Sequence, residues 1–228
     1  MIERLTLGYY DRMRSACAVY ALLAWLVASP AWAQPSAPER IDGEVIALED
    51  AKLSLRPRAG GETVAMTLLD STRVTLRSPA TLEQIVPGAY VAVTAAPGAD
   101  GVLSASEVRI FEGNLRGVGE GHRPMAGPPG NTMTNATVSR TRGAAAPATV
   151  THTSGARTGD GMTMTVTYPG GEQQINVPSG TVIERVEPAS RALLVPGARV
   201  VAYASRAADG RLVTERVNVG KDGYPQGR

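Results

Sequence analysis

The chain has 228 residues, 23 basic against 21 acidic side chains, a formal net charge of +2 and 43% hydrophobic residues. Nothing in so even a balance argues for a nucleic-acid partner, and none is expected. One cysteine and two histidines leave little material for thiolate metal sites or for imidazole-based acid–base catalysis.

In chain order, Arg4, Arg12 and Arg14 precede an apolar run from Ala16 to Ala28, Pro30 ends it, and Ala31-Trp32-Ala33 follows. This is the pattern of a cleavable secretory signal over residues 1–33, with cleavage expected before Gln34. The alternative is an uncleaved signal that anchors the chain, since the stretch from Ser15 to Ala33 is almost long enough for about 30 Å of hydrocarbon. Cys17 stands at the start of the apolar run, whereas a lipid-modified cysteine would follow it. Cleavage removes Cys17, Trp25 and Trp32, so the exported chain has neither cysteine nor tryptophan, which excludes disulfides even though the compartment would allow them. The expected location is the periplasm, with no membrane insertion after cleavage, or the membrane with the chain facing the periplasm if the signal is kept.

Beyond the signal the pattern is that of short strands. Glu44 to Leu48, Leu53-Ser54-Leu55 and Thr63 to Leu69 alternate with period two, as half-buried strands do. Pro87-Gly88 is a turn into a long strand from Tyr90 to Ala95, and Asp100-Gly101 is a hairpin signal before the run from Val102 to Ile110. A Gly- and Pro-rich segment over 113–131 follows, then Met162 to Tyr168, Gln173 to Val177, a second turn at Pro196-Gly197, Arg199 to Ser205, Asp209-Gly210 and Arg211 to Val219. Only Ala80 to Val86 and Ala189 to Val195 have the composition for a turn of helix.

These elements repeat. Val86-Pro87-Gly88-Ala89-Tyr90-Val91 recurs as Val195-Pro196-Gly197-Ala198-Arg199-Val200, a shift of 109 residues that also carries Thr72 onto Thr181, Leu103 onto Leu212 and Val108 onto Val217. Self-similarity of this kind marks homologous units. The expected organisation is a signal at 1–33, a first β-barrel unit at 38–112, a connecting segment at 113–131, a second unit at 132–220 and a tail at 221–228. Five or six short strands in so few residues favour closure, which removes exposed edges. The expected fold class is all-β, two small OB-like β-barrels in tandem, with a β-sandwich as the second choice.

The motifs Gly-x-Val, Leu-x-Leu, Gly-Gly-Glu, Thr-x-Val, Val-Pro-Gly-Ala-x-Val and Asp-Gly-x-Leu together resemble a bacterial family of exported small OB-like β-domains of unknown function. The resemblance covers both units, and the stretch from Gly117 to Pro124 and from Asn131 to Val138 also looks like tandem members of that family. It implies a β-domain fold and export. The family has no established activity, so the resemblance implies no catalytic residue.

Two groups of residues carry candidate chemistry. Arg116, Glu120, His122 and Arg123 stand among the glycines and prolines of the connecting segment; they read as part of a linker or, if the segment is ordered, as contacts to a partner or an anion. Gly117-x-Gly119-x-Gly121 is no phosphate loop, because Pro124, Pro128 and Pro129 prevent the helix such a loop needs. The second group, His152, Met162 and Met164, combines imidazole and thioether ligands suited to Cu(I). Against that reading, the matching residues of the first unit, taken as Leu53 and Leu55, are core leucines, and methionine fills cores readily. The functional expectation is an exported, non-enzymatic protein without a cofactor that binds an envelope protein or polymer, or has a scaffolding role. The alternative is a periplasmic copper-binding module.

Overall fold

The structure is a computed structural model and describes residues 38–98, 101–125, 127–143 and 161–224. The signal segment, Cys17 and His152 lie outside the described residues. The first repeat supplies β1 (Glu39–Glu49), β2 (Lys52–Pro57), β3 (Val64–Pro79), β4 (Tyr90–Pro97) and β5 (Leu103–Phe111). After a short β6 (Gly121–Pro124), the second supplies β7 (Thr132–Arg142), β8 (Met162–Tyr168), β9 (Gly171–Val177), β10 (Val182–Ala189), β11 (Arg199–Arg206) and β12 (Leu212–Gly220). The only helical residues among those described are single 3₁₀ turns, including Leu82–Gln84 and Arg191–Leu193 within the two helix-competent stretches 80–86 and 189–195. The all-β, barrel-forming expectation holds. No described helix is long and apolar enough to cross a membrane.

The barrels are not the repeats. β1 pairs with β2, β2 with β3, β3 with β12, β12 with β11, and β11 returns to β1. The other ring runs through β7, β8, β9, β5 and β4 and returns to β7. Each barrel therefore takes three strands from one repeat and two from the other. The expectation that 38–112 and 132–220 each close a barrel of their own needs this correction: β4 and β5 leave the first unit for the second barrel, and β11 and β12 do the reverse. A repeat identifies homologous strands, but their hydrogen-bonding groups are equally well satisfied by either copy.

The exchange is reciprocal in detail. The Gly88 amide donates to Val138 O at 2.8 Å and Val138 N to Ala89 O at 2.8 Å, while Gly197 N donates to Val45 O and Val45 N to Ala198 O, both at 2.9 Å. Each Pro-Gly turn is thus clasped by the opening strand of the opposite repeat. Gly88 and Gly197 hold φ of 86° and 85°, a region costly for any residue with a Cβ. Thr72 Oγ1 likewise donates to Thr214 O at 2.6 Å, and its counterpart Thr181 Oγ1 to Ala105 O at 3.2 Å.

Two separate cores result. Val45, Leu53, Leu55, Met66, Val200 and Val217 fill one barrel, and Val91, Val108, Val138, Met164, Val166 and Ile175 the other. Ile85 and Leu194, one from each 3₁₀ connection, plug the barrels at 2% and 3% exposure. Val91 and Val200, and Val108 and Val217, are fully buried at equivalent places. Leu103 and Leu212 are equivalent too, but only partly buried against their cores. The hairpin registers also refine the repeat: Leu53 faces Met66 and Met164 faces Ile175, so Met164 matches Leu53 and Val166 matches Leu55.

Replacing Ile85 or Leu194 by Ala should cost about 2 to 5 kcal/mol, as for other fully buried aliphatic side chains, and Leu103→Ala or Leu212→Ala less. Because the barrels share strands, urea denaturation of each variant should remain a single transition. Separate loss of one barrel would contradict the exchanged topology.

Candidate functional site

The exchange leaves one continuous outer face where the barrels meet. Its axis is the antiparallel pairing of β3 with β10, from Val74 opposite Ala189 to Pro79 opposite Glu184, with Arg77 opposite Val186. The shift of 109 carries Arg77 onto Val186, so a pseudo-twofold axis passes through this pair. Strand alternation sends Val74 and Leu76 towards one barrel core and leaves Arg73, Thr75 and Arg77 on the outer face, lining a cleft of about 260 Å³. β12 adds Arg216 and Asn218, β5 adds Arg109 and Phe111, β7 adds Met133 and Asn135, and the connecting segment adds Leu115, Val118, Gly119 and Arg123.

A buried ion network forms the deep part. Arg77 Nη1 donates to Glu184 Oε2 at 2.9 Å, with the two side chains 9% and 0% exposed. Arg109 Nη2 meets Glu107 at 2.5 Å, and Arg109 Nε lies 3.7 Å from Glu184 Oε2. Burial first, and Arg109 second, lower the Arg77 pKa from its usual range. Beside this network Thr75 Oγ1 donates to Asn218 Oδ1 at 2.9 Å.

The mouth has a different charge balance. Arg73 and Arg216 are directly paired across the parallel β3–β12 ladder, both exposed, and Arg216 lies over the Tyr203 ring at 3.8 Å from its centroid. No ion pair joins either to a carboxylate among the described residues. Like charges placed opposite one another oppose strand pairing, so the sheet carries a cost here that an anion would relieve. Arg123 adds a third cation and donates through Nη1 to Gly119 O at 3.0 Å. With Arg77 and Arg109 balanced by Glu184 and Glu107, Arg73, Arg123 and Arg216 give the cleft its positive excess.

The connecting segment is part of this architecture. β6 pairs with β7, and Tyr90 Oη and Asn135 Nδ2 both donate to Val118 O, at 3.2 and 3.1 Å. Of the four residues singled out there, Arg123 lines the cleft. Arg116 donates to Gly88 O at 2.7 Å and so braces the Pro-Gly turn. His122 Nδ1 lies 2.8 Å from Thr134 Oγ1 and its ring stacks on Tyr168 at 5.9 Å. Glu120 is exposed and adds to the raising of the Tyr90 pKa, for which burial is the larger cause. Met162 and Met164 are 3% and 0% exposed inside a barrel core, the environment of packing residues. Among the described residues no three His, Cys, Asp or Glu side chains are placed to hold a metal. Arg73, Arg77, Arg109, Arg216 and Asn218 escaped sequence reading because each is an ordinary polar position on its own strand. Only their convergence across repeats distinguishes them.

Glu184→Ala should cost about 3 to 5 kcal/mol by leaving Arg77 buried without its partner, measurable by denaturant unfolding. The phenols of Tyr90 and Tyr224 have pKa values raised above 10.0, by burial first and then by Glu120 for Tyr90 and by Glu184 and Glu107 for Tyr224. The unfolded chain therefore loses these protons first, so the stability they contribute is fully present below the ordinary phenol pKa and is lost as pH rises from there through the higher folded pKa. Tyr90→Phe should flatten that alkaline loss, and an unchanged profile would contradict the assignment.

No match was found among curated proteins or among solved structures. The profile of a family described as Domain of unknown function (DUF5666) matches twice, at residues 42–109 and 150–218. The first span reaches from β1 into β5, and the second ends within β12. β7 stands outside the second match although it fills the place of β1 in the second barrel. The two spans cover more than half of the chain and reproduce the repeat read from the sequence, so the chain belongs to the DUF5666 family as a tandem pair of its domains.

Proposed function

We propose that the protein is exported to the bacterial envelope and acts there by binding, not by catalysis, with the inter-barrel cleft taking an anionic group of its partner. The observation that carries this reading is the directly paired Arg73 and Arg216 at the mouth of a concave site, without carboxylate partners among the described residues. Guanidinium groups recognise carboxylate and phosphate oxygens through fixed forks of N–H donors. The underlying Arg77–Glu184 pair, locked by burial, supports the reading by supplying a rigid floor. The signal pattern at 1–33 and the resemblance to exported domains support envelope location. The OB-like description is supported by the closure order of the five strands in each ring. Copper binding has no comparable support, since both thioethers lie inside a core.

Titrating the isotope-labelled mature chain with sodium sulfate and sodium acetate should shift backbone resonances of Arg73, Thr75, Arg216 and Asn218. The shifts should weaken with added sodium chloride and vanish in Arg73→Ala with Arg216→Ala, which should stay folded because both side chains are exposed. Resonances that remain unmoved at high millimolar anion would overturn the reading.

A further inference from the structure

The shift of 109 that relates the two repeats continues past their last strands. It carries Gly113, at φ 56°, onto Asp222, at φ 51°. It also carries the bond from Leu115 N to Glu112 O onto the one from Tyr224 N to Lys221 O, at 3.1 and 2.8 Å. The turn Lys221–Gly223 after β12 is therefore a second copy of the turn Gly113–Leu115 after β5, and Tyr224 takes the place of Leu115. The two side chains do different things. Leu115 is 5% exposed and lines the cleft. Tyr224 is half-buried, and its hydroxyl hydrogen-bonds to the Glu184 carboxylate, with Glu107 and Arg77 close by. Gly220 stands where the first copy has Phe111, so no side chain at the end of β12 competes with the phenol for this position.

This contact is a slight fastening over a costly interior. Asp222 holds a left-handed conformation that Asp tolerates less well than the glycine at the same position of the first copy. Beneath the phenol, the Glu184 carboxylate lies 2.9 Å from Arg77 Nη1 and 3.7 Å from Arg109 Nε, and Arg77 Nε is buried without a hydrogen-bond partner. A buried donor left unpaired carries its full desolvation penalty, so water admitted here would be stabilising. Beside the ring the surface opens into a groove along Pro79, Arg185 and Glu187, which gives the phenol room to swing out.

We infer that the turn after β12 is a latch on the inter-barrel cleft: with Tyr224 on Glu184 the ion network is shut from water, and with Tyr224 swung out Glu184 is hydrated and loosens its hold on Arg77 and Arg109. Both arginines line the cleft, so the turn and the cleft are coupled. The latch stands on its own geometry, whereas its effect on a ligand rests on the anion reading. A carboxylate that loosens its hold on two guanidinium groups leaves more of their charge to an anion. The open state therefore binds anions more tightly, and by reciprocity an anion favours opening.

The test compares the full mature chain with its Tyr224→Phe, Tyr224→Ala and Asp222→Val variants, the last placing a β-branched side chain at positive φ. Hydrogen exchange of the Arg77 and Arg109 Nε–H groups is followed by NMR, with the Val91 and Val200 amides as references in the two cores. The arginine protons should exchange about tenfold faster in Tyr224→Ala and Asp222→Val, the worth of about one hydrogen bond, and by a smaller factor in Tyr224→Phe, while the references keep their rates. Unchanged arginine exchange, or an equal rise at the references, would overturn the latch. Sodium sulfate should bind Tyr224→Ala about fivefold more tightly than the unsubstituted chain, at the low end of allosteric couplings. Equal sulfate affinity in the two would overturn the coupling, and with it the inference. Faster arginine exchange with no sulfate binding by any form would leave the latch standing and sink the anion reading instead.

Discussion

Everything in this fold depends on the antiparallel contact between β3 and β10, with the Arg77–Glu184 ion pair beside its centre. β3 spans 16 residues and is held by β2 at its beginning and by β10 and β12 later. Past Pro79 the chain has already entered the opposite barrel, where Ile85 becomes the plug. Two desolvated charges are tolerated only with good geometry and further hydrogen bonds, and Arg77 Nη1 donates to Glu184 Oε2 at 2.9 Å.

The two repeats have kept their interiors alike and let their outer faces diverge. Applying the shift of 109 across the axis, Val91 meets Val200 and Ile85 meets Leu194, conservative in size and both buried. On the outer face the same operation sets Arg73 against Val182, Thr75 against Glu184, Arg77 against Val186 and Arg109 against Asn218. Packing restrains the first set, since core volume changes are costly. The second set instead differs in charge and polarity between the copies, and Arg77 and Glu184 in it hold each other as a buried pair. The pseudo-symmetry therefore builds two equivalent barrels, but one asymmetric cleft.

Much of the fold was legible in the sequence. Period-two alternation marked most of the strands, the Pro-Gly and Asp-Gly pairs marked turns, and the repeat of Val-Pro-Gly-Ala marked homologous units. Which copy a strand pairs with was not legible, because Val91 and Val200 carry the same information for either barrel. The site was hidden for a related reason. Arg123 stands out in the sequence by its Gly- and Pro-rich segment, whereas Arg73 and Arg216, 143 positions apart, become neighbours only through the exchanged strand pairing. Met162 and Met164 show the opposite case: a spacing that suggests ligands is equally the spacing of one face of a strand, and that face points into a core.

The strand exchange also constrains how the molecule can be made. A polypeptide emerges from a ribosome or a translocation channel N-terminus first, and contacts between distant segments wait for both to be present. The barrel begun by β1, β2 and β3 lacks its last two strands until Arg199–Gly220 has emerged, about 120 residues after β3 is complete. Until then the edges of β1 and β3 are unpaired, and the apolar faces around Leu53, Leu55 and Met66 have no lid. A nascent chain in this condition is slow to collapse into a finished domain. It stays threadable for longer, at the risk of edge-to-edge association with its neighbours.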